Sequence, residues 1–246
     1  MAMISRSCFL APGAAVALLL LAAPAAAEET SAARRAMDAK EHDRAHALAE
    51  LSAGMLALPA AEVCLKSLTD CSQGELSLAL GIDFLYRFRS FGIGAGIEWA
   101  TTLRSDKAQG AAELNRDHSR RYFLVEAQAR WYFVRLKAWE FWAGGAAGGV
   151  VINDSWSVDA DRKPYADTAF IGPRAATVGT EGLTVGVGLG AEWSFGQNWS
   201  LGTKLRYSNW VLPFTRKMSP TGDVASLSGR VDMIDVGLVI AYRIAL

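Results

Sequence analysis

Between Gly182 and Phe195 the chain alternates with a period of two. One face reads Leu183, Val185, Val187, Leu189, Ala191, Trp193 and Phe195. The other reads Gly182, Thr184, Gly186, Gly188, Gly190, Glu192 and Ser194. Alternate residues fall on opposite faces only in a β-strand. Here the bulk is all on one face, while glycine and a carboxylate occupy the other. That contrast fits a sheet whose greasy side meets lipid and whose small, charged side lines a narrow interior.

The pattern recurs. Glu75–Phe88 sets Leu76, Leu78, Leu80, Ile82, Phe84, Tyr86 and Phe88 against Ser77, Ala79, Gly81, Asp83 and Arg87, with Leu85 out of phase. Phe91–Leu103 sets Ile93, Ile97 and Trp99 against Gly92, Gly94, Gly96 and Glu98. Tyr122–Phe133 sets Phe123, Val125 and Trp131 against Glu126, Gln128 and Arg130. Strands are also expected at Trp139–Ile152, Trp199–Trp210 and Arg230–Leu246.

Short turns at Arg89-Ser90, Arg135–Lys137 and Gly196–Asn198 alternate with longer loops, Arg104–Arg121, Asn153–Glu181 and Val211–Gly229. Outer-membrane barrels show this asymmetry, with short periplasmic turns and long external loops. For both ends of the sheet to lie on the periplasmic side, one more strand must precede Glu75. Ala47–Leu58 fills that place, although its residues favour helix by propensity. The expected fold is therefore all-β, an antiparallel eight-stranded up-and-down transmembrane β-barrel.

A soluble barrel with its apolar face turned inward is excluded by volume. An eight-stranded barrel has an interior just wide enough for side chains. The apolar face carries Phe84, Phe88, Phe91, Trp99, Phe123, Trp131, Phe133, Trp139, Phe141, Trp193, Phe195 and Trp199, which would overfill it. The glycine face leaves room for Asp83, Glu98, Glu126, Arg130, Glu192, Lys204, Arg206 and Arg243 to pair as an interior charge network. Aromatic residues also cluster beside the short turns, as an interfacial girdle requires.

Residues 1–27 read as a secretory signal: Arg6, the apolar run Ala14–Ala23, and the small residues Ala25-Ala26-Ala27 before Glu28. Residues 28–45 form a charged arm, and 46–246 the barrel. Loss of Arg6 leaves 24 basic against 25 acidic groups, so no basic stripe suggests a nucleic-acid partner. Cys64 and Cys71 remain after processing, and an even pair in an exported chain is expected to form a disulfide. No metal or cofactor motif is present: the glycine rows lack nucleotide-loop spacing.

The chain resembles the small eight-stranded outer-membrane proteins of the OmpA and OmpX type over Ala47–Leu246. The terminal run Asp235-Val236-Gly237-Leu238-Val239-Ile240-Ala241-Tyr242 looks like that family's assembly signal, carried by Asp235, Gly237, Ile240 and Tyr242. The resemblance implies recognition by the barrel-assembly machinery. The expected partners are that machinery and outer-membrane lipids, and the barrel is expected to be monomeric. The terminal residue, Leu246, departs from the aromatic end of many relatives.

Three roles fit. The first is structural or surface interaction through external loops, Asn153–Glu181 with Trp156 and Tyr165 above all. The second is a narrow conduit for small or apolar solutes. The third is a lipid-modifying enzyme using His118 and Ser119. Neighbours on a strand face opposite ways, so His118 is expected to be a solvated loop residue and no catalytic site is assigned.

Overall fold

The computed structural model describes residues 45–64, 71–103, 106–109, 115–136, 138–158, 175–195, 198–219 and 224–245. The expected signal segment, residues 28–44 of the arm and Tyr165 lie outside them. Nine strands are present among the described residues, and no helix: β1 (His46–Cys64), β2 (Cys71–Phe88), β3 (Phe91–Thr102), β4 (Asp106–Gln109), β5 (Asn115–Leu136), β6 (Trp139–Val158), β7 (Ala175–Phe195), β8 (Trp199–Val211) and β9 (Arg230–Ala245).

Eight of them close into an antiparallel ring. β3 pairs with β5, and β1 with β9. β4 is a four-residue piece that lies beside β5 beyond the end of β3. The segment that propensity would make helical, Ala47–Leu58, is strand. Its two neighbours, β2 and β9, supply hydrogen bonds on both edges, and this tertiary context overrides propensity.

The register fixes the geometry. Cross-strand partners lead from Ala47 through Tyr86, Ile93, Ala129, Gly145, Val187, Tyr207 and Ile234 back to β1 at Ala57, ten residues further on. An offset of this kind tilts the strands by roughly 35–45° to the barrel axis. Because it is even, inward and outward faces remain consistent around the whole ring.

The outward face is the expected one. On β2, every second residue from Leu76 to Phe88 is apolar and exposed. At about 3.3 Å per residue and a tilt near 40°, that run is roughly 30 Å tall, the thickness of a bilayer's hydrocarbon. The aromatic residues at its lower rim are cross-strand partners: Phe88 with Phe91, Phe91 with Trp131, Trp139 with Trp193, and Phe195 with Trp199, which also pairs Tyr242. A bulge in β5 between Tyr132 and Val134 leaves both Phe133 and Val134 facing out.

Two loops are shorter than the sequence pattern suggested. Asn115–Arg121, Asn153–Val158 and Ala175–Glu181 are strand, not loop, and carry β5, β6 and β7 past the apolar band. The alternation of grease and small residues ends where lipid ends, but backbone pairing continues.

Candidate functional site

The lumen is filled in layers. Nearest the short turns, Arg87 donates from Nη1 to Glu140 Oε2 at 2.6 Å and from Nη2 to Oε1 at 2.9 Å. Arg243 reaches the same carboxylate at 3.2 Å and donates to Ser194 Oγ at 2.9 Å. The Arg87 guanidinium also lies 3.7 Å from the centre of the Tyr132 ring.

Above this, Arg130 holds Glu50 through two hydrogen bonds of 2.8 Å. It lies 3.8 Å from Asp83 and 3.9 Å from Glu192, and stacks at 4.2 Å on Trp142. Gln128 bridges to Asp83 at 2.8 Å. Beside them, Lys204 lies 3.2 Å from Glu98 and 3.1 Å from Asp235. Arg206 lies 2.8 Å from Glu98 and pairs with Glu126, which also accepts from Thr184 at 3.0 Å. Paired and hydrogen-bonded in this way, buried charges are tolerated. A cavity of about 40 Å³ remains, bounded by Asp83, Glu126, Gln128, Arg130, Lys204 and Arg206. That is space for a few water molecules.

Toward the end away from the short turns the filling turns apolar. Leu56, Leu58, Tyr122, Leu124, Ile152, Trp210 and Met233 form one buried cluster, joined by Leu212 and Leu227 from the segment between β8 and β9. That segment reads from the sequence as a long loop, and it folds over the mouth. Asp154 holds it: Ser226 donates to this carboxylate from its backbone nitrogen at 3.0 Å and from Oγ at 2.6 Å.

His118 belongs to the same clasp, which corrects its expected place in a solvated loop. It lies on β5, 1% exposed, with Nε2 donating to Asp154 Oδ1 at 2.8 Å. Its ring stacks on Trp156 at 4.8 Å. Trp156 is likewise buried on β6 rather than displayed to partners. Arg120 donates to His118 Nδ1 at 3.3 Å and lies 2.6 Å from Glu75. Burial disfavours the Arg120 charge, but its acidic neighbours, Glu75 first among them, together hold the guanidinium above its ordinary value. Ser119 points the other way, as adjacent strand residues must, so serine and histidine do not pair.

The structure thus brings Asp83, Glu98, Glu126, Arg130, Glu192, Lys204 and Arg206 into the central lumen and puts Arg243 at the lower mouth. Asp235, read from sequence as part of an assembly signal, is an interior ion-pair partner as well. Gly237 faces inward beside it, while Ile240 and Tyr242 face lipid. Sequence reasoning missed Glu50 and Glu140 altogether and left Arg87 out of the charge network. The alternation that assigned Glu192 to the interior applies equally to Glu140, which lies between the lipid-facing Trp139 and Phe141.

Comparison with known proteins gives fold alone. No family model matches the chain, and no curated protein matches it in sequence. Among solved structures, it is similar to Neisserial surface protein A, with a TM-score of 0.51 and 12% identity over 82% of this chain and 99% of the other. It is similar also to a major outer membrane protein from Thermus thermophilus, with a TM-score of 0.52 and 12% identity over 81% of this chain and 99% of that one. A closed ring of eight antiparallel strands with a lipid-sized apolar band and a charged interior is the fold of a small outer-membrane β-barrel of the OmpA and OmpX type.

Proposed function

We propose that the chain is an integral outer-membrane barrel that presents a rigid sheet outside the bilayer for surface interaction. The single observation that carries this reading is the continuation of β5, β6 and β7 beyond the apolar band. A barrel needs strands only as tall as the membrane. Here five further residue pairs join β6 and β7, from Asn153↔Gly179 to Ser157↔Ala175, and form a platform on which external loops are held. Sites on regular elements are held more rigidly than sites on loops.

The conduit reading has less support. Solutes would have to pass oppositely charged groups locked together and then the apolar layer around Tyr122 and Trp210. The enzyme reading has less support: Ser119 faces away from His118, and the Ser226 hydroxyl donates to Asp154 Oδ1, the oxygen that also accepts from His118.

In this reading the signal is cleaved before Glu28 and the barrel-assembly machinery reads the β9 end. The mature barrel is a monomer in contact with outer-membrane lipids. Cys64 and Cys71 are backbone partners at the outer end of the β1–β2 pair, which supports the expected disulfide. The test has two arms. The outer-membrane fraction should contain a band whose gel mobility changes on boiling. A cysteine placed at Thr177 should react with a membrane-impermeant maleimide on intact cells. Steady discrete openings in planar bilayers would favour the conduit instead.

A further inference from the structure

β7 outruns its neighbour on one side. Its pairing with β8 stops at Leu183↔Val211, because β8 ends there and Leu212 turns inward to the buried cluster. Its pairing with β6 continues to Ser157↔Ala175. Ala175–Glu181 is therefore paired along one edge and open along the other.

Parity identifies the backbone groups on the open edge. Ser194 donates its N–H to the Ala138 carbonyl, on the β6 side, at 2.8 Å. Alternate residues of a strand turn their N–H and C=O to opposite sides, and neither pairing of β7 shifts register. Even-numbered residues thus face β6. Thr177, Gly179 and Glu181 turn both groups toward the place that β8 has left. Among the described residues, no backbone hydrogen bond from outside the β6–β7 pair reaches them.

Free edges are normally blunted by shortness, lysine, proline or a bulge. The opposite edge of this outer sheet follows that rule: β4 is 4 residues long and includes Lys107. Thr177–Glu181 has no lysine, proline or bulge. Two side chains point the same way. Thr180, beside the edge on the inner face, is 3% exposed, and its hydroxyl has no hydrogen-bond partner. Glu181 is exposed on the outer face and enters no ion pair among the described residues. A second copy does not fit. Two barrels facing each other across a vertical twofold would cross their β7 strands by about twice the barrel tilt, roughly 70–90°, instead of running side by side.

We propose that the Thr177–Glu181 edge binds an extended segment of a partner protein by strand addition, with a basic side chain of that segment beside Glu181. Backbone groups supply the affinity and alternate side chains the selectivity. The inference rests on the reading that this sheet stands outside the bilayer.

The test uses the full mature chain in nanodiscs. The probe is a fluorescent heptapeptide of alternating threonine and valine with a central lysine, followed by anisotropy. Binding should be saturable. Gly179→Pro should weaken it at least tenfold, because it removes an N–H from the open edge and none from the β6 ladder. A β-carbon at that position would lie 3.5 Å from Asn153 Oδ1, an ordinary contact. The same peptide N-methylated throughout should not bind, and this arm decides if Gly179→Pro loses its heat-modifiable band. Glu181→Lys should shift the preference to a probe with a central glutamate. Absence of saturable binding by the wild type, or equal binding of the N-methylated probe, would overturn the proposal. Unchanged binding by a folded Gly179→Pro variant would overturn it too. Paired copies in peptide-free nanodiscs that Gly179→Pro separates would reassign the edge to a second copy. Labelling of Thr177→Cys on intact cells keeps the two readings apart: a labelled cysteine without peptide binding defeats this inference alone, and an unlabelled one defeats the platform reading beneath it.

Discussion

Trp142 and Gly190 are cross-strand partners on β6 and β7, and the indole ring occupies the space that a side chain at position 190 would need. A β-carbon built there would overlap Trp142 Cε2. The glycine is thus the counterpart of the tryptophan, and the tryptophan in turn backs Arg130.

Gly190→Ala should therefore destabilise the barrel by about 1–3 kcal/mol, the usual range for overpacking a filled interior. Equilibrium unfolding in urea from lipid vesicles measures it. In a Trp142→Ala background the same substitution should cost little, since the ring it displaces is gone. A double-mutant cycle with no coupling would show that the two residues do not meet.

The Glu50–Arg130 pair predicts an asymmetry. Arg130 faces Glu50, Asp83 and Glu192, so Arg130→Met strands three carboxylates, whereas Glu50→Gln removes one partner of three. Removing one member of a buried pair costs about 3–5 kcal/mol. Arg130→Met should reach or exceed that range and Glu50→Gln should fall below it. The temperature at which the folded gel band disappears gives the order, and equal loss in the two variants would contradict it.

Asp154 fastens the segment between β8 and β9 without belonging to the membrane-embedded wall. Asp154→Ala should make Leu212–Gly229 open to protease at least several-fold faster, since both Ser226 bonds and the His118 bond are lost together. The heat-modifiable barrel should survive. Cleavage at the wild-type rate would mean that the apolar contacts of Leu212 and Leu227 suffice to hold the segment.

For the cysteines, the expected outcome is a mature protein with no free thiol until reductant is added, by mass after alkylation. Two alkylated cysteines in unreduced protein would exclude the bridge between Cys64 and Cys71.

What was legible in the sequence follows the physics of each layer. Lipid imposes strict alternation, so β2, β3, β7 and the lipid face were readable residue by residue. Even β1, with helical propensity, was recoverable, because a barrel with both ends on one side needs an even number of strands. Beyond the bilayer no such constraint acts. Asn115–Arg121 looks like any polar loop, and His118 was accordingly misplaced. The interior was readable as a list of inward residues but not as partners. Leu85, an apolar residue on the small and charged face, packs inward at 2% exposure, and Trp142 fits inside a small barrel only because Gly190 faces it. Both depend on register, which a single strand does not reveal.

The seam between the first and last strands has a further meaning for biosynthesis. β1 finds its second neighbour only in β9, from Ala57↔Ile234 down to His46↔Ala245. A polypeptide halted anywhere before Ile234 would leave two raw edges of unsatisfied amides and carbonyls, which hydrocarbon does not admit. The ring thereby acts as a proofreading device: incomplete translation products have no stable place among the lipids, and only the finished chain can settle there.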